Sequence, residues 1–154
     1  MTFPTPQQAR EFYGDPRGIE ARLAHVVPLF KIYYQHVPVK WIRIHPLLAS
    51  SLKIVLDNVE QCYNSQAEMD AAHVSNYSGS YEPRNIRGSS SISLHAYGAA
   101  VDFDAEHNGM TYDRNAGFFK SSHPLVQAFK AQGWFWGGDF KGRRDPMHFE
   151  AVRR

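Results

Sequence analysis

The segment Ser93-Leu-His-Ala-Tyr-Gly-Ala-Ala-Val-Asp102, answered downstream by Asp145-Pro-Met-His-Phe-Glu150, decides how this chain is read. After Gly98 the run Ala-Ala-Val-Asp-Phe-Asp alternates as a strand does, so Val101 and Phe103 take one face while Asp102 and Asp104 take the other. The same parity in the second segment sends Met147 and Phe149 to the core and turns His148 and Glu150 to the opposite side. His95 falls in the turn before the first strand. If the two strands are neighbours, His95, Asp102 and His148 form one cluster with Asp145 in the turn beside it, and Asp104 is left solvent-facing or just behind the cluster.

Working outward, the pattern is mixed helix and strand. Thr5-Pro6 reads as an N-cap and first helical residue, and Gly14 as a stop, which predicts a short helix over residues 6–13. Val37-Pro-Val-Lys-Trp-Ile-Arg-Ile44 alternates and predicts one strand. Leu48, Leu52, Val55, Val59 and Cys62 recur at helical spacing and predict a buried helix face from Pro46 to about Asn64. Residues 73–92, rich in Ser, Gly, Asn and Tyr, predict a strand or two with a long loop. A helix from Pro124 to Gly133, a strand over 134–136 and a last strand over 147–152 complete the reading. The class is α+β: a small, mostly antiparallel sheet flanked by helices, with the polar cluster on the sheet, in one domain over residues 1–154.

Composition removes several alternatives. Hydrophobic residues make up 43% and charged residues 21%, which is globular usage. A net charge of +2, from 17 basic against 15 acidic residues, is too balanced for a nucleic-acid footprint, so no nucleic-acid partner is expected. Cys62 is alone, which excludes a disulfide framework and cysteine zinc fingers. No apolar run is long enough to span a bilayer and the N-terminus has no secretory pattern. The expectation is a soluble monomer made in the cytoplasm, without membrane insertion, that reaches any external target by another route.

Two imidazoles and one carboxylate are a three-ligand set for Zn2+, with the fourth position left for water or a substrate oxygen. Asp145, three residues before His148, is placed to take a proton without being a ligand. Each residue also has a plainer reading. Taken alone, His148 is more often a hydrogen-bonded strand histidine than a ligand, and Asp102 can cap a turn. Asp139, in a Gly-Gly-Asp turn, is more often a turn former than a group that orients a histidine. Trp134, Trp136 and Tyr97 are core or rim aromatics, one of which could floor a cleft. Arg143, Arg144, Arg153 and Arg154 read as a loose, solvated basic end.

The blocks Ser-Leu-His95-Ala-Tyr-Gly-Ala-Ala-Val-Asp102, Trp136-Gly-Gly-Asp139 and Asp145-Pro-Met-His148-Phe-Glu150 resemble the signature blocks of the M15, or VanY-type, D-alanyl-D-alanine carboxypeptidase-like metallopeptidases. Gly79-Ser-Tyr81-Glu-Pro-Arg84-Asn-Ile-Arg87-Gly88 resembles the arginine-bearing block before them, so the likeness spans about residues 75–151. The resemblance implies zinc held by His95, Asp102 and His148, Asp145 as general base, and Arg84 on a substrate carboxylate or the developing oxyanion, with Arg87 standing nearby. It implies bacterial peptidoglycan as partner. Asp at the base position resembles the endolysin-like branch of L-alanyl-D-glutamate endopeptidases, whose phage members reach the wall through a membrane pore. A D-Ala-D-Ala carboxypeptidase of the same family and a non-catalytic virion or tail module remain the alternatives, and retention of Asp145 favours the enzyme.

Overall fold

The computed structural model describes residues 1–154. The first helix is tighter than expected at its start. A 3-10 turn at Pro6–Gln8 runs into α1 (Ala9–Tyr13), and Gly14 closes it at φ 89°, its N–H donating to the Arg10 carbonyl at 2.9 Å. The strand expected over residues 37–44 is two strands in different sheets. β1 (Ala24–Val26), β2 (Ile32–Tyr34), β3 (Val37–Val39) and β4 (Ile42–Ile44) pair as β1 with β4 and β2 with β3, both antiparallel. Gln35 and His36, at φ 50° and 65°, make the two-residue turn between β2 and β3. Successive positive φ values match the twist of a hairpin, so β3 is committed to β2 before the chain reaches β4. The break lies at Lys40-Trp41, between a strand facing solvent and one whose Ile42 and Ile44 are fully buried.

His45 then caps the entry to the main helix. Its Nδ1 accepts from the Leu47 N–H at 3.1 Å while Nε2–H donates to the Tyr13 carbonyl at 2.8 Å, and Pro46 fills the first helical position. A short 3-10 turn leads into α2 (Ala49–Gln61), which buries Leu52, Val55, Leu56 and Val59. Cys62, read as part of that face, is exposed beyond the helix end, where its Sγ–H donates to the Asn58 carbonyl. α3 (Gln66–Ala71) follows, capped by the Ser65 hydroxyl.

The sheet that positions the cluster is built from β5 (Tyr77–Gly79), β6 (Ala100–Phe103), β7 (Phe135–Trp136) and β8 (His148–Glu150), with α4 (Pro124–Ala131) between β6 and β7 in sequence. Its spatial order is β5-β6-β8-β7, antiparallel throughout. The cap of α2 recurs at α4: His123 Nδ1 accepts from the Leu125 N–H and Nε2–H donates to the Ala72 carbonyl. One sheet face carries Val101, Phe103 and Phe149 onto α4, where the Phe129 and Phe149 rings stack at 4.2 Å. These rings join α2, α4 and the sheet in one apolar cluster. Met147 is only half-buried, because pairing begins at His148 and the expected strand over 147–152 is confined to three residues. The α+β class with small antiparallel sheets is as expected.

Candidate metal centre and its cleft

The β6–β8 register sets Asp102 opposite His148 and Ala100 opposite Glu150, so these four residues share the sheet face away from the core. His95 reaches that face from a 3-10 turn at Leu94–Tyr97. The Ser93 hydroxyl accepts the His95 N–H at 3.2 Å to open the turn, and Gly98 closes it at φ 68°. Gly98 is required for a second reason: a Cβ there would stand 2.6 Å from Leu23 Cδ2 and 3.0 Å from the His45 nitrogen.

A backbone carbonyl aims the first imidazole and carboxylates flank the second. His95 Nδ1–H donates to the Ser80 carbonyl at 2.6 Å, leaving Nε2 to face Asp102 Oδ1 at 3.3 Å. His148 Nδ1 lies 3.1 Å from that same oxygen. Its Nε2 is 2.8 Å from Glu150 Oε1, and Arg154 Nε donates to Glu150 Oε2 at 2.6 Å. Two ligands held at about 2.0–2.1 Å from one tetrahedral ion stand roughly 3.3 Å apart. The observed separations of 3.1 and 3.3 Å, converging on one carboxylate oxygen, fit a His-Asp-His set around a single cation.

Electrostatics follow from this crowding. Burial would raise Asp102, but its hydrogen bonds to His148 and His95 hold it well below the usual carboxylate range. Burial would depress His148, yet contacts with Asp102 and Glu150 lift it to about 10. Asp145 is displaced upward, by burial first and by the Asp102 charge second, against the pull of His148, His95 and Arg84. Its Oδ1 is closed off from solvent and has no hydrogen-bond partner. The Asp145 backbone is fixed by donation to the Gly137 carbonyl at 2.9 Å and by acceptance from the His148 N–H at 3.0 Å. A Cβ at Gly137 would stand 2.2 Å from the Asp145 carbonyl oxygen, so only glycine admits this approach.

His95, His148, Asp145, Arg84 and Arg87 line one cleft of about 760 Å³. Arg84 Nε lies 3.1 Å from Glu82 Oε2 without the alignment of a hydrogen bond, and its Nη1 donates to the Asn85 carbonyl. The aromatic wall comes from Phe135 and Phe140, whereas Trp134, Trp136 and Tyr97 belong to the core. Strand parity in β7 could have found Phe135, because it sits opposite Glu150. Asp139 orients no histidine and pairs with Lys130 at 2.7 Å. Three of the four arginines read as a loose basic end are anchored: Arg144 donates to the Gly138 carbonyl, Arg153 to the Phe3 carbonyl and Arg154 to Glu150, while Arg143 is exposed.

Asp104 departs furthest from its expected exposure. It is 1% exposed and gathers a second cluster with His73 and His107. Oδ2 accepts from His73 Nδ1–H at 2.7 Å and Asn108 Nδ2–H at 2.9 Å; Oδ1 accepts from His107 Nδ1–H at 2.8 Å and Asn76 Nδ2–H at 3.1 Å. The two imidazoles approach different oxygens at hydrogen-bond distance, and all four acceptor directions of the carboxylate are filled. This geometry is a hydrogen-bonded hub.

Compared with known families, residues 87–151 match the peptidase M15 model described as D-alanyl-D-alanine carboxypeptidase. The matched stretch contains the three converging side chains His95, Asp102 and His148, together with Asp145 and Glu150.

Proposed function

We propose that the chain works as one catalytic unit that cuts an amide bond in the peptidoglycan stem peptide, a reading supported by the match of residues 87–151 to the peptidase M15 model. The bond we assign is L-Ala-D-Glu, as in phage-type endolysins, with the enzyme made in the cytoplasm and released to the wall through a membrane pore. His95, Asp102 and His148 hold Zn2+. The observation that carries this reading is the convergence of His95 Nε2 and His148 Nδ1 on one Asp102 oxygen, beside a carboxylate whose own Oδ1 is unpartnered. No helix is long and apolar enough to cross a membrane, which is compatible with a pore supplied by another protein.

Zinc, when bound, supplies a Lewis acid that polarises the scissile carbonyl and acidifies water nearby. Asp145 takes the proton of the attacking water and returns it to the leaving amine. Its raised pKa suits both transfers better than an ordinary carboxylate would, although a bound cation pulls it back down. Arg84 faces the substrate carboxylate or the oxyanion from the cleft wall, with Arg87 beside it. A structural zinc site would have a fourth protein ligand and no need of a free base.

Mass spectrometry of soluble products from purified peptidoglycan, with and without a zinc chelator, tests the assignment. Chelator-sensitive release of peptides beginning with D-Glu supports the endopeptidase. Free D-Ala would replace it with a carboxypeptidase, the activity named by the family description. No product from several wall types would indicate a non-catalytic module.

A further inference from the structure

We propose that Glu150 is a positioning residue for the metal centre, fixing His148 so that Nδ1 is its metal-binding nitrogen, with Arg154 as the clasp that holds Glu150 in place. The inference rests on the ligand set proposed above. An imidazole on a strand can rotate about χ2 and present either nitrogen, so a ligand histidine needs a partner at the other one. Glu150 is two residues along β8 on the same face, and its Oε1 lies 2.8 Å from His148 Nε2. With the proton kept on Nε2 and shared with Glu150, the Nδ1 lone pair faces Asp102 and the ligand point.

The carboxylate is itself pinned. Glu150 is 2% exposed, and its second oxygen accepts from Arg154 Nε at 2.6 Å. The Arg154 guanidinium lies over the Phe135 ring at 5.6 Å and the Phe140 ring at 5.0 Å, so the aromatic wall of the cleft braces the clasp. The Phe140 ring also stands 5.9 Å from His148. Glu150 therefore has one geometry available, and the imidazole inherits it.

The test is metal affinity of the full chain, stripped by chelator and titrated with Zn2+ against a chromophoric competitor, together with the visible spectrum of the Co2+ form. Glu150→Leu, which fills the space without an acceptor, is expected to weaken zinc binding by about 10–100-fold and to alter the Co2+ spectrum. Glu150→Gln keeps an acceptor oxygen and is expected to stay within about threefold of the parent. Parent-like affinity and spectrum in Glu150→Leu would overturn the proposal. Where Glu150→Leu fails to fold, 15N NMR of histidine-labelled, metal-loaded parent decides: metal on Nδ1 with the proton on Nε2 supports it, and metal on Nε2 refutes it. Unchanged zinc binding in His148→Ala would remove the ligand set and this inference with it, whereas intact ligand behaviour with an indifferent Glu150 removes the inference alone.

Discussion

Asp102 and Asp104 stand two residues apart in sequence, are given the same side by strand parity and each gather two histidines, yet they make different devices. Asp102 offers one oxygen to two imidazoles at 3.1 and 3.3 Å, while Asp104 offers each oxygen to a separate imidazole at 2.7 and 2.8 Å. Convergence of two nitrogens on one oxygen, at separations close to the edge of a tetrahedral coordination shell, sets the first arrangement apart from the second, where each oxygen accepts its own N–H. The lesson is that residue type nominates both clusters and the sharing of one oxygen chooses between them. Backbone explains the divergence: β6 ends at Phe103, and Asp104 turns to φ 51°, which takes its carboxylate out of the sheet face and under the 3-10 turn at Ala105–His107.

The largest effect that could break the contrast is on metal content. His148→Ala is expected to lose zinc and activity together, while Asp104→Asn keeps one zinc per chain; metal analysis after gel filtration reads both. Two zinc ions per parent chain, or loss of zinc from Asp104→Asn, would erase the distinction between the clusters. Next comes Asp145→Ala, for which we expect retained zinc and activity lower by about 10²–10⁴-fold, the usual contribution of a positioned base. Chelator competition and product release measure the two quantities separately. Normal turnover by that variant would end the assignment of Asp145 as base.

Smaller again is the cost of dismantling the hub. Asp104→Ala removes the buried acceptor of four donors, of which His107 is exposed and the asparagines are not, and leaving buried polar groups unpaired costs about 1–3 kcal/mol. Denaturant unfolding of the metal-free protein should show a shift of that size, with the far-UV signal retained. An effect on the order of a few tenths of a kcal/mol would mean that the Asp104 contacts are ornamental.

The first cluster was legible because each of its parts has a local signature: a serine-capped turn, a glycine stop, and period-two alternation that turns Asp102 and His148 to one face. Its neighbour was hidden. His73 lies 31 residues before Asp104, and both adopt positive φ, which sequence advertises plainly at glycine and only weakly at histidine and aspartate. The β2–β3 hairpin was missed for the same reason, since Gln35-His36 stands where Asn-Gly would have announced the turn. Glu150 was correctly turned toward the site face by parity, but parity carries no information about distance, so its contact with His148 had to come from the structure. Arg154 read as loose because its anchor is a buried carboxylate and two rings contributed by other segments.

The smallest prediction separates the hub from its surroundings by the sign of its response to pH. His107 is raised above its ordinary value, first by its hydrogen bond to Asp104, then by the charges of Asp104 and Glu106. A raised histidine contributes stability in full below its unfolded pKa of about 6.5, and that contribution fades as pH rises through the folded value. His123 is depressed by burial, so the neutral imidazole that caps α4 is lost as acid protonates it, and its contribution fades as pH falls below about 6.5. His107→Ala should therefore lower Tm more at pH 5.5 than at pH 8.5, whereas His123→Asn, which keeps a capping oxygen without a titration, should narrow the parent's loss of Tm in acid. Thermal melts of the two variants at both pH values provide the measurement. Equal penalties for His107→Ala at the two pH values would show that its imidazolium gains nothing from Asp104, and the hub would then be held by His73 and the two asparagines alone.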